Sequence, residues 1–124
     1  MRKILLVDDD PLRAFVRMSV LQKRFPDVQR VSDAAQTLCL IEDPSFAVSL
    51  ALVISDNRLF GLDVSDFVGE LHTRMPGLPV LILGGGSETT GGRDGVRFLP
   101  QSISNDEMLM AASQLLAQRA QMMA

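Results

Sequence analysis

Apolar residues gather into five short runs along the chain, and the stretches between those runs carry apolar positions at helical spacing. Lys3 to Val7 (KILLV), Val28 to Val31, Ala51 to Asp56 (ALVISD), Leu78 to Leu83 (LPVLIL) and Val96 to Leu99 each read as a strand. Four consecutive apolar residues, Ala51 to Ile54, suit a strand covered on both faces, which occurs mainly in parallel sheets. After the first run come Asp8, Asp9, Asp10 and Pro11; Asp10 suits an N-cap and Pro11 the first helical position. The pattern predicts a helix from Pro11 to about Arg24, with Leu12, Phe15, Val16 and Val20 on its inner face. A second helix, capped by Ser32 or Asp33, runs to about Glu42 and is broken by Asp43-Pro44. A third spans Asp63 to Met75, with Val64, Phe67, Val68 and Leu71 facing inward. The last runs from Ser104 to about Met122, where Ser104 and Glu107 have the spacing of a capping box.

Strands that alternate with helices imply right-handed crossovers and a parallel sheet with helices on both faces. The expected fold is therefore α/β, a single doubly wound five-stranded domain over residues 1–124. One stretch departs from the pattern. Gly84 to Gly95 holds six glycines in twelve residues, and each costs a helix about 1 kcal/mol relative to Ala. The helix expected there, the fourth, is shortened or missing.

With 124 residues and 47% apolar content, the chain can bury one core. Twelve basic and fifteen acidic residues give a net charge of -3 without a basic run, which argues against nucleic-acid binding. No apolar run nears the roughly 20 residues that span a bilayer, and the start MRKILLVDDD meets acids in place of a cleavage site. A soluble, cytoplasmic chain is expected. The lone Cys39, between Leu38 and Leu40, is expected to be buried and inert, and the lone His72 to be solvated on its helix.

The acids are the candidate chemistry. Asp8 and Asp9 end the first strand and Asp56 ends the third, at the edge where open α/β sheets bind ligands. If those strands are neighbours, three carboxylates share one pocket, and a cation must sit among them or a pKa must rise. Hard oxygen ligands with room for water and phosphate describe a magnesium site. The plainer alternative is that Asp8 and Asp9 favour the helix start and Asp56 caps a turn.

KILLVDDDP, LVISDNRLFGLD, LPVLIL and GVRFLPQSIS, in that order and nearly that spacing, resemble the receiver domain of bacterial two-component response regulators, the family of the chemotaxis response regulator. The resemblance spans essentially the whole chain. It implies a flavodoxin-like sheet of order 2-1-3-4-5. It implies that Asp56 accepts a phosphoryl group from a sensor histidine kinase, a phosphotransfer protein or a small phosphodonor. Asp9 and Asp56 would ligate Mg2+ with the backbone carbonyl of Arg58, and Asp8 would act through a metal-bound water. A carboxylate is a competent nucleophile, and a bridging metal offsets its repulsion of the incoming phosphate.

Several positions depart from the family pattern, which makes the receiver atypical. Gln101 stands where the family has a Lys, so a donor is kept but the positive charge is lost. Gly84 replaces the hydroxyl residue after the fourth strand, Phe60 the usual Pro and Val64 the usual Gly. Arg93 and Arg97 lie in the altered region and are candidates for the missing charge. The segment GSETTGGR lacks the GK[ST] ending of a nucleotide-binding loop.

Two functions are weighed. The first is a stand-alone receiver phosphorylated on Asp56 with Mg2+, which signals through contact with a downstream protein and is not a classical enzyme. The second is a pseudo-receiver that never takes phosphate and works by constitutive binding or dimerisation. The intact acids favour the first; Gln101, Gly84 and the reduced helix favour the second. Met108, Leu109, Met110, Leu115, Leu116, Met122 and Met123 exceed one apolar stripe, which suits a partner or a second copy of the chain.

Overall fold

The structure, a computed structural model, describes residues 3–59, 63–84, 95–100 and 103–123. In chain order its elements are β1 (Lys3–Val7), α1 (Pro11–Gln22), β2 (Val28–Val31), α2 (Ala34–Ile41), α3 (Pro44–Ser49), β3 (Leu50–Asp56), α4 (Val64–Arg74), β4 (Val80–Leu83), β5 (Val96–Leu99) and α5 (Asn105–Met123). All five strands are parallel, in the order β2-β1-β3-β4-β5. The fold expected from the sequence is the fold observed. The helix expected to be reduced falls between β4 and β5, on residues 85–94, which lie outside those described.

β3 is the centre of the sheet, and every one of its seven residues is buried. Strand side chains alternate between faces, so the core divides in two. Ile4, Leu6, Leu52, Ile54, Leu81 and Leu83 pack against α1 and α5 through Ala14, Leu21, Met108, Ala112 and Leu115. Leu5, Val7, Val53, Val80 and Ile82 pack on the other face with Ala34 and Ile41 of α2 and with Phe67, Val68 and Leu71 of α4. The inward face read for α4 is thus the observed one.

Four local expectations are corrected. α1 does not face inward through Leu12, Phe15 and Val16, which are 74%, 69% and 49% exposed; Ala14, Val20 and Leu21 are its buried residues. The turn of the helix is set by Arg13 and Arg17, whose heads go to the acids at the sheet edge. Asp43-Pro44 does not only end α2, since Asp43 accepts the Ser45 N–H at 3.0 Å and Pro44 opens α3. That is the same cap-and-proline signature that starts α1. Cys39 is exposed, because α2 turns Ala34, Thr37 and Ile41 inward. His72 is not simply solvated either: its Nε2 donates to the Leu78 carbonyl at 2.8 Å, tying α4 to the segment that enters β4.

The capping box of α5 forms as read. Glu107 N–H donates to Ser104 Oγ, and Ser104 N–H to Glu107 Oε1, both at 3.1 Å. Among the described residues, no helix is long and apolar enough to cross a membrane.

Candidate functional site

Strand register builds the pocket. Val7 of β1 pairs with Ser55 of β3, so the residues that follow, Asp8 and Asp56, come level at the carboxyl edge. Both continue the parity of the residues that face α1 and α5, so their carboxylates point to the α1 side of the sheet. Asp8 is fully buried and Asp56 is 1% exposed. Asp9, one residue further on, is at the mouth of the pocket with a third of its side chain exposed.

Two arginines from α1 enter this pocket. They are one helical turn apart, so they share a face. Arg13 holds Asp8 in a forked pair: its Nε lies 3.0 Å from both Asp8 oxygens and its Nη2 2.7 Å from Oδ1. The same Nη2 donates to Asp9 Oδ1 at 3.2 Å, and Nε is 3.5 Å from Asp56 Oδ2. Arg17 bridges the two buried acids with one nitrogen, Nη1, at 2.8 Å from Asp8 Oδ2 and 3.0 Å from Asp56 Oδ2. Backbone groups complete the set: Asp10 N–H donates to Asp8 Oδ1 at 3.0 Å and Arg58 N–H to Asp56 Oδ1 at 2.8 Å. From β2, Arg30 donates to the Asp8 backbone carbonyl at 2.8 and 3.2 Å.

Burial would by itself push the Asp8 carboxyl up. The hydrogen bonds from Arg13 and from the Asp10 N–H, with the charges of Arg13 and Arg17, outweigh it and hold Asp8 below the ordinary aspartate value. The same pair raises the Arg13 guanidinium further, so Arg13 stays charged. Asp8 and Arg13 therefore meet as ions.

Asp8, Asp9 and Asp56 are brought together as the sequence reading expects. Arg58 lies beside them and contributes its N–H to Asp56. Gly84 follows β4 with φ +90°, and its N–H donates to the Leu99 carbonyl at 2.8 Å. Gln101, Phe60 and Arg93 lie outside the described residues. Arg97, the other candidate for the missing charge, is turned away to Gln114 Oε1 on α5. Among the described residues, the side-chain cations paired with the acids are Arg13 and Arg17, which the reading of the sequence missed. Their signal was available as two arginines four residues apart, just after an acidic strand end.

The chemistry of the donor set tests the implied Mg2+. The residues are of the right kind, but each carboxylate oxygen of Asp8 and Asp56 already accepts a hydrogen bond, and three of the four oxygens face a guanidinium or take its N–H. A Mg2+ ion sits about 2.1 Å from its oxygens and would lie against two fixed cations. Among the described residues, no group of three or more His, Cys, Asp or Glu is placed to hold a metal ion. In this arrangement the pocket does not fit the ion.

No family model and no curated protein matches the chain. Solved structures do. The receiver domain of NtrX from Brucella abortus is 26% identical, with a TM-score of 0.76 over 93% of this chain and 98% of that one. A response regulator receiver domain protein from Clostridium thermocellum is 19% identical, with a TM-score of 0.85 over 98% of this chain and 99% of that one. A response regulator receiver protein from Sinorhizobium medicae WSM419 is 21% identical, with a TM-score of 0.80 over 94% and 95%. With this strand order, and with the acids at the carboxyl edge of β1 and β3, the chain has the fold of the response-regulator receiver domains it is similar to.

Proposed function

We propose that the chain is a receiver-type signalling module that acts by contact with another protein and holds its acceptor position, Asp56, ion-paired instead of phosphorylated. One observation carries this reading: Arg17 Nη1 spans Asp8 Oδ2 and Asp56 Oδ2 at 2.8 and 3.0 Å while Asp56 is only 1% exposed. Attack on phosphorus needs a carboxylate oxygen that is free to approach it. Here Oδ2 accepts from Arg17 and Oδ1 from the Arg58 N–H, and burial keeps a donor at a distance. At the neighbouring strand end Gly84 has no hydroxyl to follow a phosphate. The surface offered to a partner is then set by the fold and its ion pairs. The partner classes suited to a receiver are a sensor histidine kinase, a phosphotransfer protein or a downstream protein.

The position of Asp56 favours a second reading, in which it does accept a phosphoryl group. An Asp56 oxygen would form the new P–O bond while the donor's bond to phosphorus breaks: the P–N bond of a phosphohistidine, whose imidazole takes a proton as it leaves, or the P–O bond of acetyl phosphate, whose acetate leaves as the anion. Arg17 would have to release the attacking oxygen. Intact mass after incubation with acetyl phosphate, with and without Mg2+ and repeated on Asp56→Asn, separates the two. An unchanged mass in every arm supports the ion-paired module. A gain of one phosphoryl group that Asp56→Asn abolishes overturns it in favour of the second reading.

A further inference from the structure

We infer that Arg13 and Arg17 are the built-in counter-ion of the acid pocket and stand in place of a divalent cation. Two guanidiniums against the carboxylates of Asp8, Asp9 and Asp56 leave a formal charge of -1. A divalent ion among the same three acids leaves the same charge. The arginines therefore do the electrostatic work of the metal, and they do it from within the chain.

Geometry supports a dedicated role. Arg13 grips Asp8 through Nε and Nη2, the forked pairing that a guanidinium makes with a carboxylate and a lysine cannot. Arg17 is 12% exposed and spends one nitrogen on two acids from different strands. Both side chains rise from a helix whose position is fixed by Ala14, Val20 and Leu21 in the core and by the Asp10 cap at its start. A metal ion could enter only by displacing cations that are anchored by packing. Among the described residues, Arg30 is committed to the Asp8 backbone carbonyl and Arg97 to Gln114.

The inference rests on the same ion-paired pocket as the proposed function, but the two fail separately. Phosphoryl labelling asks whether Asp56 reacts; metal titration asks what neutralises it. The test is thermal unfolding of the whole chain against Mg2+ at constant ionic strength, with Mn2+ as a paramagnetic probe read by water-proton relaxation. Wild type is expected to show no Mg2+-specific shift in melting temperature and no relaxation enhancement with Mn2+. The variant R13Q/R17Q is expected to melt lower in metal-free buffer and to recover part of that loss as Mg2+ is added, by an amount growing with the logarithm of its concentration. A wild-type chain that Mg2+ stabilises overturns the inference. So does a double variant that is as stable as wild type without metal, or one whose loss Mg2+ does not restore, since the arginines would then serve packing alone. If the double variant does not fold, Arg17→Gln replaces it in the thermal series, and Mn2+ relaxation on wild type decides by itself: enhancement overturns the inference and its absence supports it.

Discussion

Nη1 of Arg17 lies 3.0 Å from Oδ2 of Asp56, joining the first helix to the end of the central strand across thirty-nine residues of sequence. The contact closes the edge of the sheet that open α/β folds use for ligands. It also explains how Asp56 can be almost fully buried as a side chain that carries charge. An ion taken out of water costs several kcal/mol even after relaxation, against a total domain stability of about 5–15 kcal/mol. Two such carboxylates side by side need their counter-ions close.

Removing one partner should therefore be expensive. Arg17→Met keeps most of the stem and leaves Asp56 and Asp8 short of a donor. Breaking a buried pair costs about 3–5 kcal/mol, and the Arg13 Nε at 3.5 Å from Asp56 gives some compensation, so the loss should sit near about 3 kcal/mol. Urea unfolding of Arg17→Met, Asp56→Asn and the double variant forms a cycle whose coupling should be about 1–3 kcal/mol. Strict additivity would mean that the two residues touch without depending on one another.

Asp8 gives the pocket a pH signature. Its pKa in the folded chain is lowered, so the unfolded chain, near the ordinary value of about 3.9, takes up the proton first as acid is added. The stability that Asp8 contributes is complete above that ordinary value and is lost as pH falls through the lower folded value. Arg13 supplies the largest of the lowering influences, a hydrogen bond. Unfolding free energies measured from pH 5 down through the acid limb should thus fall less steeply for Arg13→Gln than for wild type. Parallel limbs would show that Arg13 does not set the Asp8 pKa.

The sequence made most of the fold legible, because strands buried on both faces leave unbroken apolar runs: KILLV and ALVISD need no structure to be read as strands. Register was legible in outline too, since acids at two strand ends become neighbours once the strands do. The orientation of α1 was not. Hydrophobic periodicity assumes that the inward face is apolar, but here the inward stripe contains Arg13 and Arg17, drawn in by buried carboxylates, and Leu12, Phe15 and Val16 are left outside. An arginine read alone is a solvated side chain; its meaning came from acids on strands far away in sequence. α3 was missed for a different reason. Asp43-Pro44 can stop one helix and start another, and six residues are too few for periodicity to decide.

Gly84 shows why placing a hydroxyl after β4, where the receiver pattern has one, should not by itself install a switch. Its φ of +90° is in the left-handed region, and its N–H is committed to the Leu99 carbonyl. A side chain there costs roughly 1–2 kcal/mol of backbone strain. Gly84→Ala and Gly84→Ser should lose about that much alike, measured by urea unfolding. A serine variant as stable as wild type would show that the backbone at this position relaxes readily.

The pocket also depends on where α1 begins. Asp10 Oδ1 accepts the N–H of Leu12 at 3.0 Å and of Arg13 at 3.2 Å, so the cap fixes the turn from which Arg13 projects. Replacing an N-cap aspartate by alanine costs about 1 kcal/mol, and the loss is local to the first turn. Asp10→Ala should loosen Arg13 before Arg17, which lies one turn deeper, and amide hydrogen exchange should quicken at Leu12 and Arg13 first. Asp10→Asn keeps the acceptor without the charge and should retain most of the protection. Equal exchange in the alanine and asparagine variants would assign the effect to the charge of Asp10 acting on Arg13, and would remove the cap from the account of how the arginines are held.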